Sequence, residues 1–94
     1  MKVRYTRRAY SDLHQILDYL SARSPKGAAN VLARIDTTLQ KLGEQPLMGH
    51  ATDVSGVRVL FIGRYPYKIF YRLSGSRLEI LHIRHTARRP GEIE

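Results

Sequence analysis

The chain of 94 residues carries 16 Lys and Arg against 8 Asp and Glu, and 43% of it is hydrophobic, which indicates one folded domain over residues 1–94. Because it contains no cysteine, a disulfide framework, a thiolate zinc site and a thiol nucleophile are excluded. No apolar signal segment opens the sequence and no apolar run is long enough to span a bilayer, so we expect a cytoplasmic location and no membrane partner.

Residues 2–5 predict a short strand, because charged side chains alternate there with Val3 and Tyr5. A helix follows from about residue 7 to residue 22, with Thr6 as a candidate N-cap. One face of this helix is apolar and the other is polar, so we expect it to be half-buried. Its apolar positions are Ala9, Leu13, Ile16, Leu17 and Leu20.

A second helix is predicted for residues 25–42. Ser24 is a favoured N-cap residue, and Pro25 suits the first helical position because its missing N–H needs no partner there. Gly43 is placed to end the helix in the left-handed conformation. The apolar positions are Ala28, Val31, Leu32, Ile35, Leu39 and Leu42. The two helices should pack as an antiparallel hairpin.

The hydrophobic pattern changes from helical to alternating after residue 56. Residues 44–56 combine proline, glycine and polar residues without periodicity, so they predict a loop. Residues 57–62, 67–73 and 77–83 are rich in β-branched and aromatic residues and predict three antiparallel strands joined by tight turns. The sequence therefore predicts an α+β fold of order β-α-α-β-β-β. It comprises a short N-terminal strand, a helical hairpin and a three-stranded meander, with the helices on one face of the sheet.

Positive charge is concentrated in the C-terminal part of the chain, where residues 57–91 contain eight Lys or Arg and one acid. Arginine dominates, and its planar guanidinium grips phosphate or carboxylate groups at two points. The strand cations that alternation can bring to one face are Arg58, Lys68, Arg72 and Arg84. Such a face is either an ordinary solvated sheet face or a binding surface. The excess of cations over acids favours an acidic partner.

Four segments occur in order along nearly the whole chain. They are the opening YTRRAYSDLHQILDYL, the loop QPLMGH, the strand pair GRYPYKIFYRLSGSRLEILHIRH, and the ending HTARRP. Together with the predicted order of elements, they resemble the RelE/ParE superfamily of toxins from type II toxin–antitoxin systems. The resemblance implies a cognate acidic antitoxin, bound to the toxin in a hetero-oligomer.

The superfamily resemblance implies two different activities. RelE-like members are ribosome-dependent endoribonucleases that cut mRNA, whereas ParE-like members poison DNA gyrase and are not known as nucleases. RelE-like enzymes usually carry a tyrosine in the C-terminal segment, but no tyrosine follows Tyr71 here, and the ending HTARRPGEIE resembles ParE-like endings. The sequence favours gyrase inhibition, with a ribosome-dependent mRNA interferase as the alternative. A basic nucleic-acid-binding module without toxicity is a third reading, weakened by the lack of a recognition motif.

Each activity has its own candidate residues. The target-binding candidates are Arg84, His85, Arg88 and Arg89. The candidates for metal-independent RNA cleavage are Arg58, Arg72, His82, Arg84 and His85. No motif for a metal or a cofactor is present, so we expect none. His82 and His85 are three positions apart on one strand and should point to opposite faces, with His82 beside Tyr71. His85 is also compatible with a structural hydrogen bond to a backbone carbonyl.

Overall fold

A computed structural model of the chain describes residues 1–86, which form a helical hairpin on one face of a five-stranded sheet. In chain order the elements are β1 (Lys2–Tyr5), α1 (Arg7–Ser21), α2 (Pro25–Glu44), β2 (His50–Ala51), β3 (Val57–Phe61), β4 (Tyr67–Ser74) and β5 (Arg77–His85). The predicted α+β class and the helical hairpin are confirmed. Within these described residues, neither helix combines the length and apolar character that crossing a membrane would require.

Both helices begin where the sequence predicts. The Thr6 hydroxyl accepts a hydrogen bond from the Ala9 N–H at 3.2 Å, and the Ser24 hydroxyl accepts one from the Gly27 N–H at 3.0 Å. The predicted end of α2 was wrong, because the helix runs through Gly43 to Glu44. Gly43 instead permits a close approach, since a Cβ there would lie 3.0 Å from the Met1 carbonyl oxygen.

The sheet has the order β1-β5-β4-β3-β2. The meander β3-β4-β5 is antiparallel, whereas β1 pairs in parallel with β5, with Lys2 opposite Arg77 and Tyr5 opposite Ile80. The segment predicted as a loop contains the two-residue strand β2, which pairs with β3. A two-residue strand is too short to show an alternating pattern, so the sequence carried no signal for it.

A bulge interrupts the pairing of β4 with β5. Phe70 lies opposite His82 and Tyr71 lies opposite Ile80, so Leu81 is one extra residue on β5. His82 therefore lies beside Phe70, and the expected position beside Tyr71 was wrong. The bulge also shifts the alternation, so that the core-facing residues of β5 are Leu78, Ile80 and Ile83.

The core lies between the helical hairpin and the inner face of the sheet. The largest side chains excluded from solvent are Tyr71, Ile35, Leu42, Ile69, Leu78 and Ile80. Both predicted helix stripes contribute to this core, either with buried residues or with partly buried residues packed against it. No helix of residues 1–86 covers the opposite face of the sheet, and this face is called the outer face below.

Candidate functional site

The outer face combines an apolar stripe with several cations. Its residues follow from the register, because directly opposed strand residues point to the same side and alternate with the buried ones. The apolar stripe consists of Val57, Val59, Phe61 and Phe70. The cations are Lys2, Arg4, Lys68, Arg72, Arg77 and Arg84. Phe61 is 56% exposed, so the stripe leaves a large aromatic side chain in contact with water.

Within residues 1–86, Arg72 is the one cation of the outer face that forms an ion pair. Arg72 Nε donates a hydrogen bond to Glu79 Oε1 at 2.9 Å, near one end of the sheet. At the other end, Lys68 and Arg84 lie directly opposite each other. Within residues 1–86 neither of them forms an ion pair. Like charges in directly opposed positions destabilise a sheet, so this pair points to binding rather than to stability.

His82 lies on the outer face beside Asp12, an aspartate of α1. Because β1 ends at Tyr5, the edge of β5 beyond Ile80 has no neighbouring strand. Asp12 of α1 takes that place: its Oδ2 accepts a hydrogen bond from the Ile83 N–H at 3.1 Å and lies 3.6 Å from His82 Nδ1. No local sequence signal identifies this contact, since it joins residues 71 positions apart.

The electrostatic surroundings of His82 favour its neutral form. Burial lowers the pKa of this imidazole, and the cations Arg84 and Arg8 lower it further, which outweighs the attraction of the Asp12 carboxylate. Asp12 is itself paired with Arg8, whose Nε lies 3.1 Å from Asp12 Oδ1. A neutral imidazole beside Arg84 is able to accept a proton, so His82 is the group of the outer face best suited to act as a base.

Arg58 lies on the inner side of the sheet, opposite Tyr71, and does not join the cations of the outer face. Its Nη2 donates hydrogen bonds to the carbonyl oxygens of Leu47 at 3.1 Å and Gly49 at 2.7 Å. Arg58 therefore ties the loop between α2 and β2 to the sheet. These loop contacts give the partly buried Arg58 a structural role that requires no bound target.

His85 also points to the inner side, because it lies opposite the buried Tyr67, and their ring centroids are 5.5 Å apart. The prediction that His82 and His85 face opposite sides is confirmed. His85 lines a cavity of about 240 Å³ between α1 and the ends of β4 and β5. Two further target-binding candidates, Arg88 and Arg89, lie outside the described residues.

The candidate residues for RNA cleavage are thus divided between two faces. Arg72, His82 and Arg84 lie on the outer face, with Arg72 paired to Glu79, whereas Arg58 and His85 lie on the inner side. Among residues 1–86, no three His, Asp or Glu side chains are grouped closely enough to hold a metal ion. The outer face therefore presents a cationic and partly aromatic surface rather than a single convergent pocket.

Comparison with known proteins gives consistent results. The family model described as "ParE toxin of type II toxin-antitoxin system, parDE" matches residues 3–90. The putative toxin Y4kP of Sinorhizobium fredii is 37% identical over 84 residues, covering 89% of this chain and 86% of that protein. The toxin RelE2 of Caulobacter vibrioides is 32% identical over 87 residues, covering 93% of this chain and 97% of that protein.

Two solved structures share the fold. A chain of the chromosomal ParDE toxin–antitoxin system from P. aeruginosa is 30% identical, with a TM-score of 0.78 over 90% of this chain and 95% of that one. A chain of the RelBE2 toxin–antitoxin complex from Mycobacterium tuberculosis is 25% identical, with a TM-score of 0.62 over 89% of this chain and 95% of that one. With a family match across nearly the whole sequence and the fold of these relatives, the chain belongs to the ParE toxin family of type II toxin–antitoxin systems.

Proposed function

We propose that this toxin acts in the cytoplasm by binding DNA gyrase, without catalysing a reaction of its own, and that a cognate acidic antitoxin neutralises it. The observation that carries the choice of target is the division of the candidate catalytic residues between the two faces of the sheet. Arg58 donates hydrogen bonds to the loop carbonyls and His85 faces the inner side, which argues against either residue acting with His82 at one phosphate.

Metal-independent RNA cleavage requires several groups at a single phosphate. One group must take the proton of the 2′-hydroxyl, a second must stabilise the charge that develops on the phosphate, and a third must protonate the leaving oxygen. The outer face offers His82 and Arg84 for the first two tasks, but Arg72 is paired with Glu79. This arrangement supports a binding function over a catalytic one.

The target-binding surface that we propose is the end of β5 with the segment that follows it. Arg84 has no ion-pair partner among residues 1–86, and the sequence adds Arg88 and Arg89 directly after the described part. His85 lies at the same end of the sheet. A surface of this kind binds the acidic groups of a protein or the phosphates held by it.

The antitoxin is proposed to cover the apolar stripe of the outer face. The two solved relatives described above come from toxin–antitoxin systems. An exposed Phe61 next to the opposed cations Lys68 and Arg84 suits a segment that alternates apolar side chains with carboxylates. Apolar contact would supply most of the affinity of such a complex, while the complementary charge would speed encounter and set the register.

The second candidate function is a ribosome-dependent mRNA interferase, and a specific observation favours it: the lowered pKa of His82 beside Arg84. One experiment separates the two. The purified toxin is incubated with gyrase and supercoiled plasmid, and in parallel with a translating ribosome extract whose mRNA is mapped by primer extension. We expect linear plasmid DNA after protein denaturation and intact mRNA. Cut mRNA with unaffected plasmid would reject gyrase inhibition and establish the second candidate.

A further inference from the structure

A second cationic site lies on the helix side of the molecule, away from the outer face. It is an open notch of about 430 Å³ between α2 and the turn that joins β3 to β4. The residues that line it are Asn30, Ala33, Arg34, Thr37, Arg64 and Tyr65. All but one of these carry polar groups, and none is acidic. We call this site the turn notch.

Arg64 adopts a backbone conformation that does not suit an arginine. Its φ is 78°, and no other non-glycine residue of the described chain has a positive φ. Hydrogen bonds hold the turn in this shape: the Ile62 N–H donates to the Tyr67 carbonyl at 2.9 Å, and the Tyr67 N–H donates to the Tyr65 carbonyl at 2.8 Å. Glycine adopts this conformation without steric cost. The stability of the turn therefore does not explain an arginine here, and strain of this kind is concentrated at functional sites.

Arg34 approaches the same turn from α2. A Cβ added to Gly63 would lie 3.1 Å from Arg34 Nη2, so the guanidinium lies against the turn and the missing side chain of Gly63 leaves room for it. Within residues 1–86, the side chains of Arg34 and Arg64 form neither a hydrogen bond nor an ion pair. Two unpaired guanidinium groups thus line one polar notch, an arrangement that an anion would stabilise.

We propose that the turn notch binds a phosphate group of a nucleic-acid backbone. A polyanion fits better than a single carboxylate because the cations continue past the notch. The turn lies at the end of the sheet where Lys68 and Arg84 face each other on the outer face. Cations on both sides of one turn match a chain of regularly spaced phosphates. The inference goes beyond the proposed function, because it gives the toxin a contact with the nucleic acid that its target holds.

Salt dependence of binding tests the contact directly. Full-length toxin is titrated into a fluorescent DNA duplex of about 20 base pairs, and into a single-stranded RNA, at several salt concentrations. The variants are Arg34→Gln and Arg64→Gly. Arg23→Ala is the control that removes an equal charge, because the Arg23 guanidinium interacts with Tyr19 of its own helical end and does not line the notch. We expect each notch variant to reduce the slope of log K against log salt by about 0.9 on duplex DNA, or about 0.7 on single strands. The polymer that shows the reduction identifies the source of the phosphate.

Measuring the melting temperature of each variant distinguishes a loss of nucleic-acid binding from a loss of folding. Arg64→Gly removes the strain, so we expect a melting temperature at or above that of the parent together with weaker nucleic-acid binding. A lower melting temperature would show that Arg64 serves the turn itself, and the proposal would fall. Slopes equal to that of the Arg23→Ala control on both polymers would also overturn it. So would variants that keep nucleic-acid binding but lose binding of a poly-glutamate peptide, because the notch would then serve an acidic protein partner.

Discussion

Removal of the Tyr71 hydroxyl tests how the loop between α2 and β2 is held on the sheet. Tyr71 is fully buried, and its hydroxyl donates a hydrogen bond to the Pro46 carbonyl at 2.8 Å and accepts one from the Gly49 N–H at 3.0 Å. Gly49 makes room for this contact, since a Cβ there would lie 2.6 Å from the hydroxyl oxygen. Tyr71→Phe would keep the ring in place and remove only the bridging oxygen.

The expected cost follows from the two groups left without a partner. A buried polar group that loses its hydrogen bond costs about 1–3 kcal/mol. The Gly49 N–H is buried and should account for the larger part of the lost free energy. The Pro46 carbonyl is only partly buried, so water would replace some of its lost hydrogen bond. We expect Tyr71→Phe to lower the free energy of unfolding by about 3 kcal/mol, which corresponds to a fall of roughly 15 °C in Tm for a domain of this size.

Urea unfolding followed by far-UV circular dichroism measures this loss, with a shifted midpoint at an unchanged slope. Tyr65→Phe is the matched control, because Tyr65 is partly buried and its hydroxyl bonds to no residue in 1–86. It should change stability by less than about 0.5 kcal/mol. Arg58→Met should couple to Tyr71→Phe by about 1 kcal/mol, since Arg58 holds the same loop. If Tyr71→Phe costs no more than Tyr65→Phe, the hydroxyl does not hold the loop and the reasoning fails.

Three further outcomes are expected. Replacing Arg84, Arg88 and Arg89 by Ala should relieve growth inhibition after induction while circular dichroism shows a folded protein; a folded triple variant that still inhibits growth would place the target-binding site elsewhere. The lowered pKa of His82 means that its contribution to stability is complete above the ordinary histidine value of 6.5 and is lost as the pH falls toward the lower folded value. Urea midpoints should therefore decline below pH 6.5, and His82→Gln should flatten that decline where the exposed His50→Gln does not. In stopped-flow mixing with the cognate antitoxin, the association rate should fall with ionic strength while the dissociation rate stays nearly constant, because exposed charges are screened over about 8 Å at physiological salt; a salt-independent association rate would contradict the role given to the charges.

Local sequence determined the elements that depend on near neighbours. The caps at Thr6 and Ser24 lie within three residues of the N–H groups that they bind, so their signals are contiguous in the chain. The helical and alternating hydrophobic patterns indicate which side of each element is apolar, and they predicted both helices and the meander. The same order of segments indicated the toxin superfamily, which the family match over residues 3–90 supports.

Only the tertiary structure decided how distant segments meet. The parallel pairing of β1 with β5 and the contact of Asp12 with Ile83 join residues more than 70 positions apart, and no local pattern encodes such a contact. The tertiary structure also decided which face of the sheet each side chain occupies. A single extra residue at Leu81 changes which side chains of β5 share a face. Arg58 shows the consequence for function. Its residue type suggested an active-site cation, but its position opposite Tyr71 turned it toward the loop carbonyls, since the side of a sheet that a strand residue faces depends on the packing of the whole sheet.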